Sequence, residues 1–304
     1  MRELAELGDA LVHLGRQVRD VVRAGVRTDD DAVVRVGGGD EVFGVDGRAE
    51  VPLWTGLRDI GARWPGTVVM EGFDEPVPIG DRPGEWRYIV DPLDGTRPWL
   101  AGKRSAWVLF GAGRGATTLA ELELSAVVEV PTSRGALGLC AWATRGGQLW
   151  AIDDDLAGSA GSQPVTLTPR ASGELNRAYV SVQRFVPGQK ARIGVFEDEL
   201  LHDLETYEDP YLCSGGQLME VALGREAAAL DARPLLVKGM AAHPYDLAGW
   251  LVAAAAGVIV EALPPGPLAY PLDTETPCAW AAYANAAVAE QMHTRLARLR
   301  GVIR

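Results

Sequence analysis

The sequence predicts a mixed helix and sheet protein, α+β or α/β, in which helices are layered on sheets. Three observations indicate this class: helical periodicity in the first 24 residues, grouped apolar runs between residues 67 and 152, and alternating helices and strands after about residue 179. Grouped strands followed by alternating elements are typical of layered helices and sheets. With 304 residues, 47% of them apolar, the chain is long enough to bury a substantial core.

The expected elements follow from local patterns in chain order. Leucines and valines at helical spacing predict a first helix over residues 3–24. Short apolar pairs around the triple glycine at 37–39 predict two strands joined by a flexible loop within residues 28–44. Strands are predicted at 67–70, 86–90, 106–111, 122–130, within 136–152, and at 179–182. Further helices are predicted over 46–63, 191–203, 215–224, 246–256 and 281–300.

A polar, Gly- and Ser-rich stretch at 157–163, followed by 169–173, predicts a boundary between two subdomains. We expect an α+β subdomain over residues 1–170 and an α/β subdomain over residues 171–304.

Composition excludes several classes of protein. A net charge of −12 argues against a nucleic acid partner, which requires clustered Lys and Arg. The three cysteines form no Cys-x-x-Cys pair, so neither a zinc site nor a disulfide framework is indicated. The longest uncharged stretch, 247–260, is too short to span a bilayer, and the N-terminus lacks the apolar core of a signal peptide. We therefore expect a cytoplasmic protein with no membrane partner.

The most informative motif is Asp91–Thr96, Asp-Pro-Leu-Asp-Gly-Thr, which follows the apolar, strand-like run 86–90. Asp91 and Asp94 place two carboxylates on one side of an expected tight bend, and Mg²⁺ prefers such oxygen ligands. Gly95 and Thr96 offer backbone N–H groups of the kind that bind phosphate. The alternative is an ordinary polar turn, since Asp, Pro and Gly are common turn residues.

The motif resembles the signature of the inositol monophosphatase family, within a wider group of Mg²⁺-dependent phosphatases that includes fructose-1,6-bisphosphatases and histidinol phosphatases. Other parts of the family pattern occur here in order. Asp46 lies where a helix is expected to begin, and Glu71 stands twenty residues before Asp91. Late in the chain, 245–249 reads Tyr-Asp-Leu-Ala-Gly and carries Asp246. The resemblance covers roughly residues 40–300.

The resemblance implies a five-layer αβαβα sandwich with metal ions between its two halves. It implies a phosphatase for a small phosphorylated metabolite, and we expect a homodimer. Two or three Mg²⁺ ions would be held by four carboxylates and one backbone carbonyl: Glu71, Asp91, Leu93, Asp94 and Asp246.

The same resemblance implies roles for the other site residues. Glu71 and Thr96 would orient the attacking water, with Asp46 in support or as a weak ligand of a third ion. The N–H groups of Gly95 and Thr96 would bind the phosphate, and Asp246 would also contact the substrate. Asp46 and Asp246 have an alternative interpretation as helix N-caps, a common use of Asp.

Departures from the family pattern leave the substrate open. Gly72 replaces a second Glu, which would weaken a third ion, and Arg35 stands where relatives often keep a Lys. Lys238 lies in the expected substrate loop without a nearby acid, so it would disfavour a cationic substrate. We expect an inositol phosphate or a sugar phosphate as the substrate, with histidinol phosphate or a bisphosphate as the alternatives. A non-catalytic relative that binds a phosphorylated metabolite is the alternative of another class.

Overall fold

The computed structural model describes residues 2–25, 29–37, 40–158 and 161–299. Across those ranges, no helix is both long enough and apolar enough to cross a membrane. The loop expected at the triple glycine lies largely outside the described residues.

Strands are grouped in the first part of the chain, and helices and strands alternate after about residue 180, as the amino-acid pattern predicts. The helices of the described ranges are α1 (Arg2–Arg23), α2 (Gly44–Arg63), α3 (Thr96–Leu100), α4 (Lys190–Leu200), α5 (Ser214–Ala222), α6 (Arg233–Leu236), α7 (Trp250–Ala256) and α8 (Ala286–Arg298). The first ten strands are β1 (Val33–Gly37), β2 (Asp40–Phe43), β3 (Gly66–Met70), β4 (Val77–Ile79), β5 (Trp86–Asp94), β6 (Ala106–Arg114), β7 (Leu124–Val130), β8 (Leu137–Thr144), β9 (Leu149–Asp155) and β10 (Gln163–Pro164). The last four are β11 (Val180–Val182), β12 (Ala228–Asp231), β13 (Ile259–Ala262) and β14 (Trp280–Tyr283).

The strands form one large sheet, one small sheet and a hairpin. The large sheet has the order β10-β9-β8-β7-β6-β5-β3-β4. Within it, the neighbouring strands β3 and β5 run parallel to each other. The small sheet has the order β11-β12-β14-β13, while β1 and β2 pair with each other. The proposed boundary at residue 170 falls in the segment that joins the large sheet to the small one.

Three buried clusters hold the layers together. Helices α1 and α2 cover one face of the large sheet, where Leu11 and Leu57 belong to the same apolar cluster as Phe110. Helices α5 and α7 lie between the two sheets, and their cluster reaches from Leu109 on the large sheet to Ala229 on the small sheet. Helices α4 and α8 cover the outer face of the small sheet. The order of layers is therefore αβαβα, which confirms the predicted fold class.

Two predicted helices in the C-terminal half begin too early. Residues 280–283 form strand β14, and α8 starts only after Asn285, whose side-chain oxygen accepts the N–H of Val288 at 3.0 Å. The apolar run before Asn285 is buried throughout, so periodicity alone does not separate strand from helix. Likewise, the segment predicted as a helix over 246–256 is a 3-10 turn at Pro244–Leu247 followed by α7.

Candidate metal centre

The sequence predicts that strand β5 ends at residue 90. In the structure the strand continues to Asp94. Asp91 lies opposite Leu109 of β6 and Asp94 lies opposite Trp107, so β5 has one more residue than its partner between these pairs. This extra residue is a β-bulge, a position that tolerates Pro92 because an unpaired residue there needs no N–H for the ladder. The bulge brings both carboxylates to one end of the strand.

A third carboxylate completes a compact cluster. Ligand oxygens of Asp91, Asp94 and Asp246 all lie within 4.8 Å of one another. Asp246 comes from the 3-10 turn before α7, where its Oδ2 accepts the backbone N–H of His243 at 2.6 Å. Asp246 is therefore the third residue of a capping box whose N-cap is His243, and not the N-cap that the sequence offers as an alternative; the same side chain also faces the other two acids. The His243 ring stacks on Tyr245 and is absent from the pocket lining.

Glu71 joins this group because β3 and β5 are parallel. Met70 pairs with Val90, and the N–H of Glu71 donates to the carbonyl of Val90 at 3.3 Å. Glu71 and Asp91 therefore leave the same edge of the sheet side by side. The short hairpin strand β4 accounts for the spacing of twenty residues, and both side chains line one pocket.

The carboxylates lie so close together that, when ionised, they repel one another unless a cation is bound between them. Burial raises the pKa of Asp91 well above its usual range, and the charges of Glu71, Asp94 and Asp246 raise it further. Burial also raises the pKa of Asp94, to about 7, although hydrogen bonds from the Cys213 thiol and nearby backbone N–H groups oppose the shift. A divalent cation removes this repulsion, and an all-oxygen set suits Mg²⁺. The donor set therefore fits the metal that the resemblance implies.

Gly72 is explained by its neighbours. Its φ is +79°, and a Cβ at this position would lie 2.4 Å from Nη2 of Arg35. That guanidinium donates to Glu50 at 2.6 Å and lies over the ring of Phe73. Arg35 thus occupies the space beside position 72. The second Glu of the family pattern is absent there, and a guanidinium group lies next to the position instead.

The hydroxyl of Thr96 contacts Asp46 rather than Glu71. Its Oγ1 lies 2.8 Å from Oδ1 of Asp46 and 2.7 Å from the carbonyl oxygen of Leu93. Asp46 is buried in the first turn of α2, where its Oδ2 accepts the N–H of Phe43 at 2.7 Å. Helix α2 thus presents Asp46 directly to the Thr96 hydroxyl, and the pairing of Thr96 with Glu71 around an attacking water stays a prediction.

The N-termini of two helices, α3 and α5, lie at the carboxylate cluster. Gly95 adopts φ +87° at the start of α3, a conformation that favours glycine. From the other side, the N-terminus of α5 approaches Asp94, whose Oδ2 accepts the N–H of Gly215 at 2.6 Å. The sequence predicts a helix over 215–224 but no role for its N-terminus at this cluster. Its available signal was the small-residue run at 213–216, since small residues let a helix N-terminus approach an anion.

The remaining pocket wall differs from the predicted one. Lys238 is exposed and absent from the pocket lining, and its backbone carbonyl accepts Nε2 of Gln189 at 2.6 Å. The basic side chain that does line this wall is Arg233, at the start of α6. Its neighbours on the wall come from the loops around the small sheet: Gln183, Phe185, Leu212, Met240 and Ala241. The structure thus gives the wall a cation, though not from the predicted residue.

Comparison with known proteins begins at the level of sequence, where no family model matches the chain. The chain is similar to a curated protein from Streptomyces griseus named glucose-1-phosphate thymidylyltransferase. The two are 28% identical over 225 residues, which cover 66% of this chain and 75% of that protein.

Comparison of structures gives matches over nearly the whole chain. Fructose-1,6-bisphosphatase from Leishmania major superposes with a TM-score of 0.74 at 13% identity, covering 96% of this chain and 94% of that one. Mycobacterium tuberculosis SuhB gives 0.65 at 18% identity, covering 98% of both chains. An inositol monophosphatase-fructose 1,6-bisphosphatase gives 0.68 at 16% identity, covering 94% of this chain and 98% of that one. The chain therefore has the fold of the inositol monophosphatase and fructose-1,6-bisphosphatase structures.

Proposed function

We propose that this protein is a Mg²⁺-dependent phosphomonoesterase of the inositol monophosphatase family, acting on a small phosphorylated metabolite. One observation carries the proposal. The carboxylates of Asp91, Asp94 and Asp246 converge within 4.8 Å, next to a Thr96 hydroxyl that is hydrogen-bonded to buried Asp46. The names of the structural neighbours, which include fructose-1,6-bisphosphatase and inositol monophosphatase, support the same reaction class.

The carboxylates have a clear role in this proposal. Glu71, Asp91, Asp94, Asp246 and the carbonyl of Leu93 would hold two or three Mg²⁺ ions. When bound, such ions neutralise charge on the transferring phosphoryl group and on the leaving oxygen. The N–H groups of Gly95 and Thr96 would hold the phosphate oxygens at the start of α3.

Thr96 and Asp46 would move the proton of the attacking water. A water beside Thr96 would donate a hydrogen bond to Oγ1 while the hydroxyl proton points to Asp46. As the water attacks phosphorus, its proton would pass to Oγ1 and the hydroxyl proton would pass to the carboxylate. Such positioned proton transfer contributes about 10²–10⁴-fold to a rate. Asp46 therefore acts through Thr96, while Glu71 remains with the metal ligands.

The substrate proposal stays at the level of a sugar or inositol phosphate, with a bisphosphate or histidinol phosphate as alternatives. We also propose that the enzyme acts in the cytoplasm as a homodimer. A non-catalytic phosphometabolite-binding protein would have no use for the Thr96–Asp46 pair, because holding a phosphate requires no activation of water.

A second candidate, nucleotidyl transfer to a sugar phosphate, is favoured by the name of the Streptomyces griseus relative. Both candidates act on a phosphorylated sugar at a cationic, metal-loaded site. They differ in the attacking group, which is water in one reaction and a sugar phosphate oxygen in the other. The Thr96–Asp46 pair favours water, since a sugar phosphate is already ionised and needs no base.

The test is a product assay that separates the two candidates. Purified protein is incubated with Mg²⁺ and a panel of phosphorylated sugars, inositol phosphate and histidinol phosphate, and in a parallel arm with dTTP and glucose 1-phosphate. We expect orthophosphate in the first arm, none of it after EDTA, and recovery when Mg²⁺ is restored. Pyrophosphate and a nucleotide sugar in the second arm, without orthophosphate in the first, would establish the transferase instead. Full turnover in metal-free protein would contradict the proposed mechanism.

A further inference from the structure

Arg233 is held in a fixed orientation in the wall of the pocket that Gly95 and Thr96 also line. Its Nε and Nη2 donate to the two oxygens of Asp231, at 2.9 and 2.6 Å, and its Nη1 donates to the carbonyl of Phe185 at 3.1 Å. A bidentate pair of this kind fixes the plane of the guanidinium as well as its position. The side chain is therefore placed before any ligand arrives.

The pair is oriented with its positive end toward the pocket. Arg233 lines the pocket, whereas Asp231 at the end of β12 is fully buried behind it and is absent from the lining. The pair is neutral in sum, but a ligand on the pocket side lies closer to the cation than to the anion. Coulombic energy falls with distance, so this wall attracts acceptors and anions and repels an ammonium group.

Gln183 adds a second preference to the same wall. Its Nε2 donates to the carbonyl of Tyr211 at 2.7 Å and lies 2.8 Å from Oε1 of Gln217. Because a backbone carbonyl can only accept, the amide nitrogen must face into the protein. The amide oxygen is then the atom that Gln183 can offer to a ligand, and it suits a hydroxyl donor.

We infer that Arg233, positioned by Asp231, selects substrates whose non-phosphate end carries an anionic group together with hydroxyls. The anionic group is a carboxylate or a second phosphate, and a cationic leaving group is rejected. This inference rests on the proposed phosphatase function and names the substrate class of the same pocket. It also moves the specificity role from Lys238, which the sequence indicated, to Arg233.

The test compares substrates that differ in the charge of the leaving group. The panel contains fructose 1,6-bisphosphate, 6-phosphogluconate, glucose 6-phosphate, histidinol phosphate and p-nitrophenyl phosphate. In the wild-type protein we expect kcat/KM for the two anionic members to exceed that for histidinol phosphate by about tenfold or more, the effect of one charge-assisted hydrogen bond. Comparison of fructose 1,6-bisphosphate with 6-phosphogluconate shows whether a second phosphate or a carboxylate is preferred. An equal or better rate with histidinol phosphate would overturn the inference.

The variant is the pair Asp231→Asn with Arg233→Gln, because removing Arg233 alone would leave Asp231 buried without its partner. We expect the loss of kcat/KM on the anionic substrates to exceed the loss on p-nitrophenyl phosphate by about tenfold or more, mainly through KM. Equal losses on both would indicate a structural role only and would overturn the inference.

The matched control is a second buried Arg–Asp ion pair that lies outside the pocket. Arg19 and Asp154 form this pair, at 2.9 Å, between α1 and β9, and neither residue lines the pocket. The double variant Arg19→Gln with Asp154→Asn should leave the substrate ranking as in the wild type. If no panel member, including p-nitrophenyl phosphate, releases orthophosphate with Mg²⁺, the proposed function itself fails. If hydrolysis occurs but the ranking does not depend on Arg233, only this inference fails.

Discussion

Thr96 connects the turn at the start of α3 to helix α2 through a single hydroxyl group. Its Oγ1 contacts both Asp46 and the carbonyl of Leu93 within 2.8 Å, so it is oriented from two sides. In the proposed function its backbone would hold phosphate and its side chain would relay a proton, which are two separable roles. Substitution of the hydroxyl alone can therefore separate binding from chemistry.

We expect Thr96→Val, which keeps the shape but removes the hydroxyl, to lower kcat by about 100-fold or more with little change in KM. Thr96→Ser restores the hydroxyl and should recover most of the activity. Steady-state kinetics with p-nitrophenyl phosphate and Mg²⁺ measure both. Equal activity of the Val and Ser variants would exclude the hydroxyl from proton transfer.

Asp94 illustrates how a functional side chain can oppose stability. It is buried beside two other acids, and its raised pKa, about 7, reports that ionisation costs free energy without a cation. We expect Asp94→Asn to lower Mg²⁺-dependent activity by about 100-fold or more, while the melting temperature in EDTA stays equal or rises. Phosphate release and thermal unfolding are the measurements.

The control for this variant is Asp81→Asn, since Asp81 is an exposed acid that does not line the pocket. It should retain full activity and an unchanged melting temperature. An Asp94→Asn protein that unfolds in EDTA while its folded fraction stays fully active would make Asp94 a structural residue.

At the scale of elements, the contact between the α3 and α5 N-termini shapes the site. Gly95 has φ +87°, and a Cβ there would lie 3.0 Å from both Cβ and Sγ of Cys213, the N-cap of α5. We expect Gly95→Ala to cost about 1–2 kcal/mol from its left-handed backbone alone. The close contact would also displace α5 and reduce activity at least tenfold.

Gly102 separates the two effects, because it has φ +67° with no heavy atom within 4 Å of its built Cβ. Gly102→Ala should show a similar backbone cost in urea unfolding and nearly wild-type activity. If both variants lose the same activity, the contact between Gly95 and Cys213 does not matter for the site.

How much of the site could be predicted depends on whether its parts are local in sequence. Asp91 and Asp94 stand together in one motif, and Glu71 is predicted by the resemblance from its spacing of twenty residues. The parallel pairing of β3 and β5, which the structure shows, is the physical reason that Glu71 lies beside Asp91. The sequence does not indicate that Arg233 lines the pocket, because its position there depends on the loop after β12 and on its pairing with Asp231. Strand β14 was mistaken for helix because a fully buried run has no polar face to reveal its period.

At the scale of the whole molecule, the site lies where the layers meet. The large sheet supplies Asp91 and Asp94, and the turn before α7, in the layer between the sheets, supplies Asp246. Arg233 follows a strand of the small sheet. The carboxylate cluster therefore joins the large sheet to the middle layer, while the pocket wall that carries Arg233 belongs to the small sheet. This arrangement allows the substrate preference to change without disturbing the chemistry.

A buried acid away from the metal cluster should govern part of the pH dependence of stability. Glu226 is 5% exposed; its Oε1 accepts the hydroxyl of Ser181 at 3.0 Å, and among the described residues its Oε2 has no hydrogen-bond partner. Burial, as the largest cause, raises its pKa from 4.5 to about 8. Between these values the folded protein binds a proton that the unfolded chain releases. The contribution of Glu226 to stability is therefore complete below pH 4.5 and is lost as pH rises to about 8.

We expect Glu226→Gln, which mimics the protonated acid, to match the wild type near pH 4.5 and to exceed it in unfolding free energy above about pH 8. The difference should grow by at most about 1.4 kcal/mol per pH unit inside this window. Urea unfolding at several pH values in EDTA measures it, and subtracting the wild-type curve removes the contribution of Glu197, another buried acid with a raised pKa. Glu199→Gln, an exposed change on α4, should leave the slope unaltered. A Glu226→Gln curve parallel to the wild type from pH 4.5 to 8 would mean that Glu226 is ionised in the folded protein at no cost.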